Sequence, residues 1–152
     1  IMIFKRTELD FLRDARVARL GTTDSKNRVH IVPIVFANTK NEIFFVIDKK
    51  KKKAVNLKRL QNISNNPNVT LLVDYYSEDW TKLAFLLIYC KAQILLPGKC
   101  PQKKRLMASL LQRKYRQYSK GNYLPKDLNA AIFVNLTPKS AVYWQNSRHS
   151  LA

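Results

Sequence analysis

Apolar stretches of strand length follow one another along this chain across short polar turns, and most of them have no helix in between. Residues 16–23 and 28–37 flank Asp24, Ser25, Lys26 and Asn27, four side chains that favour a tight turn. Residues 42–48 come after a second polar turn at 38–41 and are expected to pair back on 28–37. Residues 68–75, 83–96, 130–136 and 140–145 bring the strands to about seven, with Thr137-Pro138 read as the turn between the last two. In 28–37 both faces are apolar, Val29 and Ile31 on one and His30, Val32 and Ile34 on the other, the pattern of a strand covered on both sides. Parallel strands each need a crossover helix, and this order lacks them. The expected fold is therefore mainly β, of the α+β class: antiparallel strands closing fully or partly into a small barrel. Three helical segments fit between the strands: 8–14 after Thr7, 53–64 ending before Pro67, and 101–118 with Leu106, Met107, Leu110 and Leu111 on one side. The 152 residues suit a single domain spanning 1–152.

The chain has 28 Lys and Arg against 10 Asp and Glu, and a formal net charge of +18 favours an anionic partner. Only three glycines are present, without G-x-G-x-x-G or a Walker loop, so a phosphate would have to be held mainly by side chains. There is no G-x-S-x-G; His149 lies near the end of the chain, and His30 lies in a strand, where a packed or interface role is expected. Cys90 and Cys100 match no zinc or redox spacing, so no metal is expected. The adjacent Glu78 and Asp79 read as turn and cap chemistry, and no catalytic acid or base stands out. The longest apolar run, 83–90, is far short of the about 20 residues a bilayer requires, so no membrane partner is expected. Free thiols and the lack of a secretory-type apolar core predict a cytoplasmic protein.

The strongest candidate site is basic. An apolar strand ends at Asp48, five lysines occupy 49–53, a helix starts beside them, and Arg59 lies about two turns into it. Each charge-assisted hydrogen bond to a phosphate contributes about 1.5 to 3 kcal/mol, so two or three supply much of the about 8 kcal/mol of a micromolar affinity. The plain alternative is a solvated loop.

Three blocks carry a family resemblance: Asp14-Ala15-Arg16-Val17-Ala18-Arg19-Leu20-Gly21-Thr22; Val29-His30-Ile31-Val32-Pro33-Ile34-Val35-Phe36; and Asp48 through the lysines to Leu57-Lys58-Arg59-Leu60-Gln61-Asn62-Ile63. Asn66-Pro67-Asn68-Val69, Leu71-Leu72-Val73-Asp74-Tyr75-Tyr76 and Asp79-Trp80 extend it. The chain resembles the pyridoxamine 5'-phosphate oxidase-like superfamily from about residue 8 to 144. Within it the chain is similar to the deazaflavin-dependent oxidoreductase branch, to which Lys114-Tyr115-Arg116-Gln117-Tyr118 also corresponds.

The resemblance implies a split β-barrel homodimer of the flavin-reductase type, with coenzyme F420, or alternatively FMN, lying between the subunits and exchanging hydride with a small-molecule substrate. It assigns the cofactor phosphate to Lys50, Lys52 and Arg59, with Asn62 nearby. Val32 and Pro33, with Val46, Ile47 and Asp48 on the neighbouring strand, would make backbone and apolar contacts to the ring, and Trp144 would close the slot from either subunit. The chain departs from the family pattern at Asn27 and Val29, where Gly and Pro are expected, and at Lys51, where Pro is common. Two other functions compete: a basic nucleic-acid-binding domain, with the lysine run and the Lys103–Arg116 helix as phosphate contacts and Tyr115, Tyr118 and Tyr123 as stacking groups, ranked lower because many aromatics fall in apolar strands; and a non-catalytic carrier of the same cofactor.

Overall fold

The computed structural model describes residues 3–48 and 57–146. Helix α1 (Arg6–Asp14) leads into β1 (Ala18–Thr23), β2 (Val29–Ile34), β3 (Ala37–Asn38) and β4 (Ile43–Val46). Helix α2 (Lys58–Asn65) precedes β5 (Asn68–Tyr75), a 3-10 turn (Trp80–Lys82) and β6 (Ala84–Leu95). Helices α3 (Pro101–Lys114) and α4 (Arg116–Lys120) then lead to β7 (Phe133–Gln145).

All strand pairs are antiparallel, in the order β2-β1-β5-β6-β7-β4-β3. The two ends of this order, β2 and β3, are joined only by Val35 and Phe36, so the sheet must curl back on itself into a half-closed barrel. Alternation along the strands fills its interior with Ala18 and Leu20, Leu71 and Val73, Leu86 and Ile88. Leu12 of α1 and Leu60 and Ile63 of α2 pack on this core. Each such side chain contributes about 1.5 to 3 kcal/mol when fully buried. A second cluster lies outside the barrel wall, where α3 and α4 cover Phe44, Val46 and Phe133 with Met107, Leu111, Tyr115 and Tyr118.

The seven strands and the barrel agree with expectation; several boundaries do not. Helix α1 starts two residues early, and the Glu8 carboxylate accepts from the Lys5 backbone N–H at 3.3 Å, so the Thr7 cap is not used. The 28–37 segment breaks at Val35 and Phe36, and only its end, as β3, pairs with β4. The two last strands are one: β7 runs through Thr137-Pro138 with a bulge where the register slips between Tyr89 and Cys90. Proline has no N–H for the ladder, and a bulge is where a strand accommodates that loss. Val29 and Ile31 are not covered; both point outward and stay 67% and 64% exposed.

Asp24 shapes the β1–β2 turn by accepting from the backbone N–H groups of Lys26 and Arg28, and these bonds, led by that of Arg28, hold its carboxyl at about 2. Lys104 is fully buried and ties two loops together, donating from Nζ to the carbonyls of Leu96 (2.6 Å) and Asn129 (3.1 Å).

Candidate functional site

Where β4 leaves the sheet, the Ile47 N–H donates to the Ile132 carbonyl, and this bond delivers Asp48 to the foot of α4. There the Tyr118 hydroxyl donates to Asp48 Oδ1 at 2.8 Å. Burial pushes the Tyr118 phenol above its ordinary range, and the neighbouring Asp48 charge adds to the shift, so the proton stays on the tyrosine. Tyr118 is placed by a break between α3 and α4 at Tyr115, whose backbone is extended. The Tyr115 hydroxyl accepts from the Phe36 N–H at 3.1 Å and donates to the Arg16 carbonyl at 2.9 Å. One tyrosine thus ties α3 to the strand crossover and to the entry of β1.

Arg16 lies over the Tyr115 ring, 4.6 Å from its centroid. These residues, with Val35, Arg116, Gln117 and Tyr123, line a cleft of about 340 Å3 between the α3–α4 break and the ends of β2 and β4. Behind it, Lys114 Nζ donates to the Leu12 carbonyl at 2.9 Å and sits 3.7 Å from the Phe36 ring centroid. Burial first, and the Arg16 charge second, lower its amine to about 8. A base with a depressed folded pKa binds fewer protons folded than unfolded between about 8 and its ordinary 10.5, so stability rises with pH across that window. Wild-type Tm measured from pH 7 to 10.5 is therefore expected to gain on that of Lys114→Met above pH 8.

Arg59 supplies the other half of the site. It is half-buried in the first turn of α2, and its Nε is buried with no hydrogen-bond partner among the described residues. Burial depresses its guanidinium, and the nearby Asp48 carboxylate only partly offsets this. Leaving a charged donor desolvated and unpaired is costly, so its position suits an incoming anion. Asp48 faces both the cleft and Arg59 and joins the two halves.

The residues singled out from the sequence fall into distinct places. Lys50 and Lys52 lie outside the described residues, as does the rest of the lysine run. Arg59 and Asp48 come together. Asn62 is buried and donates to the Thr22 hydroxyl at 3.0 Å, clamping α2 to β1. Val46 and Ile47 are buried in the outer cluster and the barrel core respectively, so their side chains are taken up by packing. Val32 packs partly against the core, and Pro33 is exposed on the edge strand β2, where a missing N–H is tolerated. Strands β2 and β4 are not hydrogen-bonded neighbours; their ends meet only where Val35 and Asp48 line the cleft. Trp144 lies on the outward sheet face, stacked on Phe85 with centroids 5.6 Å apart. Strand β7 is not a hydrogen-bonded neighbour of β2, so Trp144 does not stand beside Val32 and Pro33 in the sheet.

Read from the sequence, Tyr115 and Tyr118 have a role only as stacking groups, and Lys114 only as a phosphate contact, in the competing nucleic-acid reading, and Arg16 has none. The signal was Lys114-Tyr115-Arg116-Gln117-Tyr118, in which aromatics at i and i+3 alternate with cations, but a continuous helix over 101–118 would not have aimed both rings at the crossover. His30 is half-buried with its Nδ1 unpartnered among the described residues, beside Thr22 in the β1–β2 pair. No group of His, Cys, Asp and Glu suited to a metal ion occurs among the described residues, and no helix there is long and apolar enough to cross a membrane.

Similar architectures occur in solved structures. Protein Rv2991 of Mycobacterium tuberculosis superposes with a TM-score of 0.71 at 18% identity, over 99% of this chain and 91% of its own. HutZ, the heme storage protein of Vibrio cholerae, gives 0.68 at 13%, over 92% and 93%. An F420 reductase gives 0.58 at 16%, over 88% and 94%. No curated protein sequence matches the chain. The family model for pyridoxamine 5'-phosphate oxidase, however, matches residues 4–145, nearly the whole barrel with its helices, and so the chain belongs to the pyridoxamine 5'-phosphate oxidase family.

Proposed function

We propose that this protein is an oxidoreductase that binds coenzyme F420, or alternatively FMN, at a homodimer interface and acts on a small molecule held in the cleft. The observation that carries this reading is Arg59: a half-buried guanidinium with an unpartnered Nε, beside Asp48 and therefore beside the start of the lysine run. The residues fit a phosphate-bearing cofactor, with Arg59 and, from the sequence, Lys50 and Lys52 as its anion contacts, and Val32 and Pro33 as the edge against which a ring would lie. When bound, such a cofactor supplies the hydride chemistry; the protein orients it and excludes water. The Tyr115, Tyr118 and Val35 walls with Arg16 and Arg116 favour a planar anionic substrate.

The second copy is inferred from the outward sheet face. Val29 and Ile31 of β2, Tyr89 of β6, and Val142 and Trp144 of β7 stay exposed there, a spread of apolar surface that a partner would cover. Because β7 does not adjoin β2 in the sheet of one chain, closure of the slot is assigned to Trp144 of a second copy. HutZ, a heme storage protein of the same architecture, makes a carrier role the reading to separate from catalysis.

Fluorescence titration of the purified protein with F420 and FMN tests the proposal, with heme titrated in parallel by absorbance. Binding of F420 or FMN tighter than about 100 micromolar, equivalent to roughly 5.5 kcal/mol, is expected. Weaker binding of both, with tight heme binding, would overturn it. Tyr118→Phe releases Asp48 and is expected to cost about 1.5 kcal/mol of stability, or about 3 to 6 °C in Tm, while weakening cofactor binding less than Arg59→Ala does.

A further inference from the structure

Much of the positive charge lies beyond Arg59 and the lysine run assigned to the cofactor phosphate, and part of it borders the substrate cleft at Arg16 and Arg116. Each of the ten carboxylates has an internal partner. Glu8 and Asp127 accept from backbone N–H groups, Glu78 from the Tyr76 hydroxyl, Asp79 from Thr81 and Asp48 from Tyr118. The remaining five pair with basic side chains: Asp10 with Arg6 and Arg13, Asp14 with Arg13, Asp24 with Arg28 and Lys58, Glu42 with Lys103, and Asp74 with Arg19. Arg16, Arg113 and Arg116 form no ion pair among the described residues.

Arg13 from α1, Arg16 from the entry of β1, and Arg113 from α3 meet around one open concavity of about 360 Å3, floored by Lys114, Leu110 and Asn38. Arg16 also borders the neighbouring cleft, where Arg116 extends the positive strip. We propose that this strip, from Arg16 through Arg113 to Arg116 with the carboxylate-paired Arg13 at its border, is a contact surface for the phosphate backbone of double-stranded nucleic acid, independent of sequence.

Three observations favour an extended polyanion. The donor placed deepest, Lys114, already gives its amine to the Leu12 carbonyl, so a small anion would find only surface guanidiniums, each worth little on its own. A polyanion gains from several such weak contacts at once, because each neutralised phosphate releases counterions. An anionic membrane fits less well: Val29, Ile31, Tyr89, Val142 and Trp144 are exposed on the outward sheet face, whereas the exposed apolar side chains close to the strip are the scattered Val17, Leu106 and Tyr123. Base stacking is not required, since Tyr115 and Tyr118 are buried and engaged in hydrogen bonds.

The test is anisotropy of a fluorescein-labelled 20-base-pair duplex of mixed sequence, titrated with the full chain free of cofactor from 50 to 200 mM salt. The slope of log affinity against log salt is expected to become shallower by about 1.8, at about 0.9 per phosphate lost, in Arg113→Gln/Arg116→Gln. Charge-matched Lys91→Gln/Lys139→Gln, on the sheet strands β6 and β7, is expected to keep the wild-type slope. Circular dichroism of both variants checks that they are folded. An equal change in both variants, an unchanged slope in the arginine variant, or loss of binding only when the five lysines at 49–53 are replaced by glutamine would each overturn the proposal. So would absence of duplex binding alongside arginine-dependent sedimentation with phosphatidylglycerol vesicles. None of these readouts requires the cofactor, so the outcome is independent of the oxidoreductase reading.

Discussion

Arg59→Ala is expected to weaken F420 or FMN binding by about ten- to a hundred-fold, the equivalent of about 1.5 to 3 kcal/mol for one charge-assisted hydrogen bond to phosphate. The physical basis is asymmetric. In the protein without ligand, the Arg59 guanidinium is desolvated and its Nε is unpartnered among the described residues, so the unfavourable term is already present before an anion arrives. A phosphate recovers it, whereas a neutral ligand does not. Riboflavin, which lacks the phosphate, is accordingly expected to bind wild type and Arg59→Ala within about three-fold of each other, against the ten-fold or more set by the charged contact for FMN. Equal losses for FMN and riboflavin would show that Arg59 acts through the fold of α2 rather than through phosphate. Thermal unfolding of the variant serves as the control: removing a cation that burial disfavours is expected to leave Tm unchanged or raise it.

Ile31→Asp is expected to abolish the proposed homodimer, leaving a monomer, and to lower cofactor affinity along with it. Ile31 lies mid-strand in β2 with its side chain 64% exposed, paired with Gly21 of β1, so the change meets no core contact in the single chain. At the centre of an apolar contact a new carboxylate has no partner and must be desolvated, a cost of several kcal/mol. Sedimentation velocity at micromolar concentration reads the mass directly, and circular dichroism should be unchanged. A monomeric wild type, or a variant that dimerises normally, would remove the second copy from the proposed site. In that case Trp144 would also lose its role, which is proposed only for a second copy.

Much of the barrel was legible because strand burial repeats every two residues, and that period is written in the chain: Ala18 and Leu20, Leu71 and Val73, and Leu86 and Ile88 all point inward. The places where the reading slipped share a cause. Thr137-Pro138 has turn chemistry locally, but the long β6 partner holds β7 in one ladder and turns the proline into a bulge. Val29 and Ile31 read as covered because apolar residues on both faces resemble a buried strand, whether the cover comes from the same chain or another. The helix over 101–118 has helical periodicity throughout, yet Tyr115 leaves it to bond with Phe36 and Arg16, about 80 and 100 residues away in sequence.

The site divides in the same way. Asp48, Arg59 and the basic run stand close in sequence, so local pattern and family resemblance were enough to single them out. Asn62, Val46 and Ile47 stand in the same stretch, but packing commits them to Thr22, the outer cluster and the barrel core. Sequence alone settled the class of fold and the sign of the charge, and it pointed to the region of the proposed anion site, because periodicity, composition and neighbouring residues are local properties. Only the tertiary structure decided that Tyr118 would hold Asp48 across 70 residues, that Arg59 would have an Nε unpartnered among the described residues, and that Arg13, Arg16 and Arg113 from three elements would share one concavity. Those are long-range juxtapositions, set by how the curled sheet brings its two ends together beneath the helices, and no window along the chain encodes them.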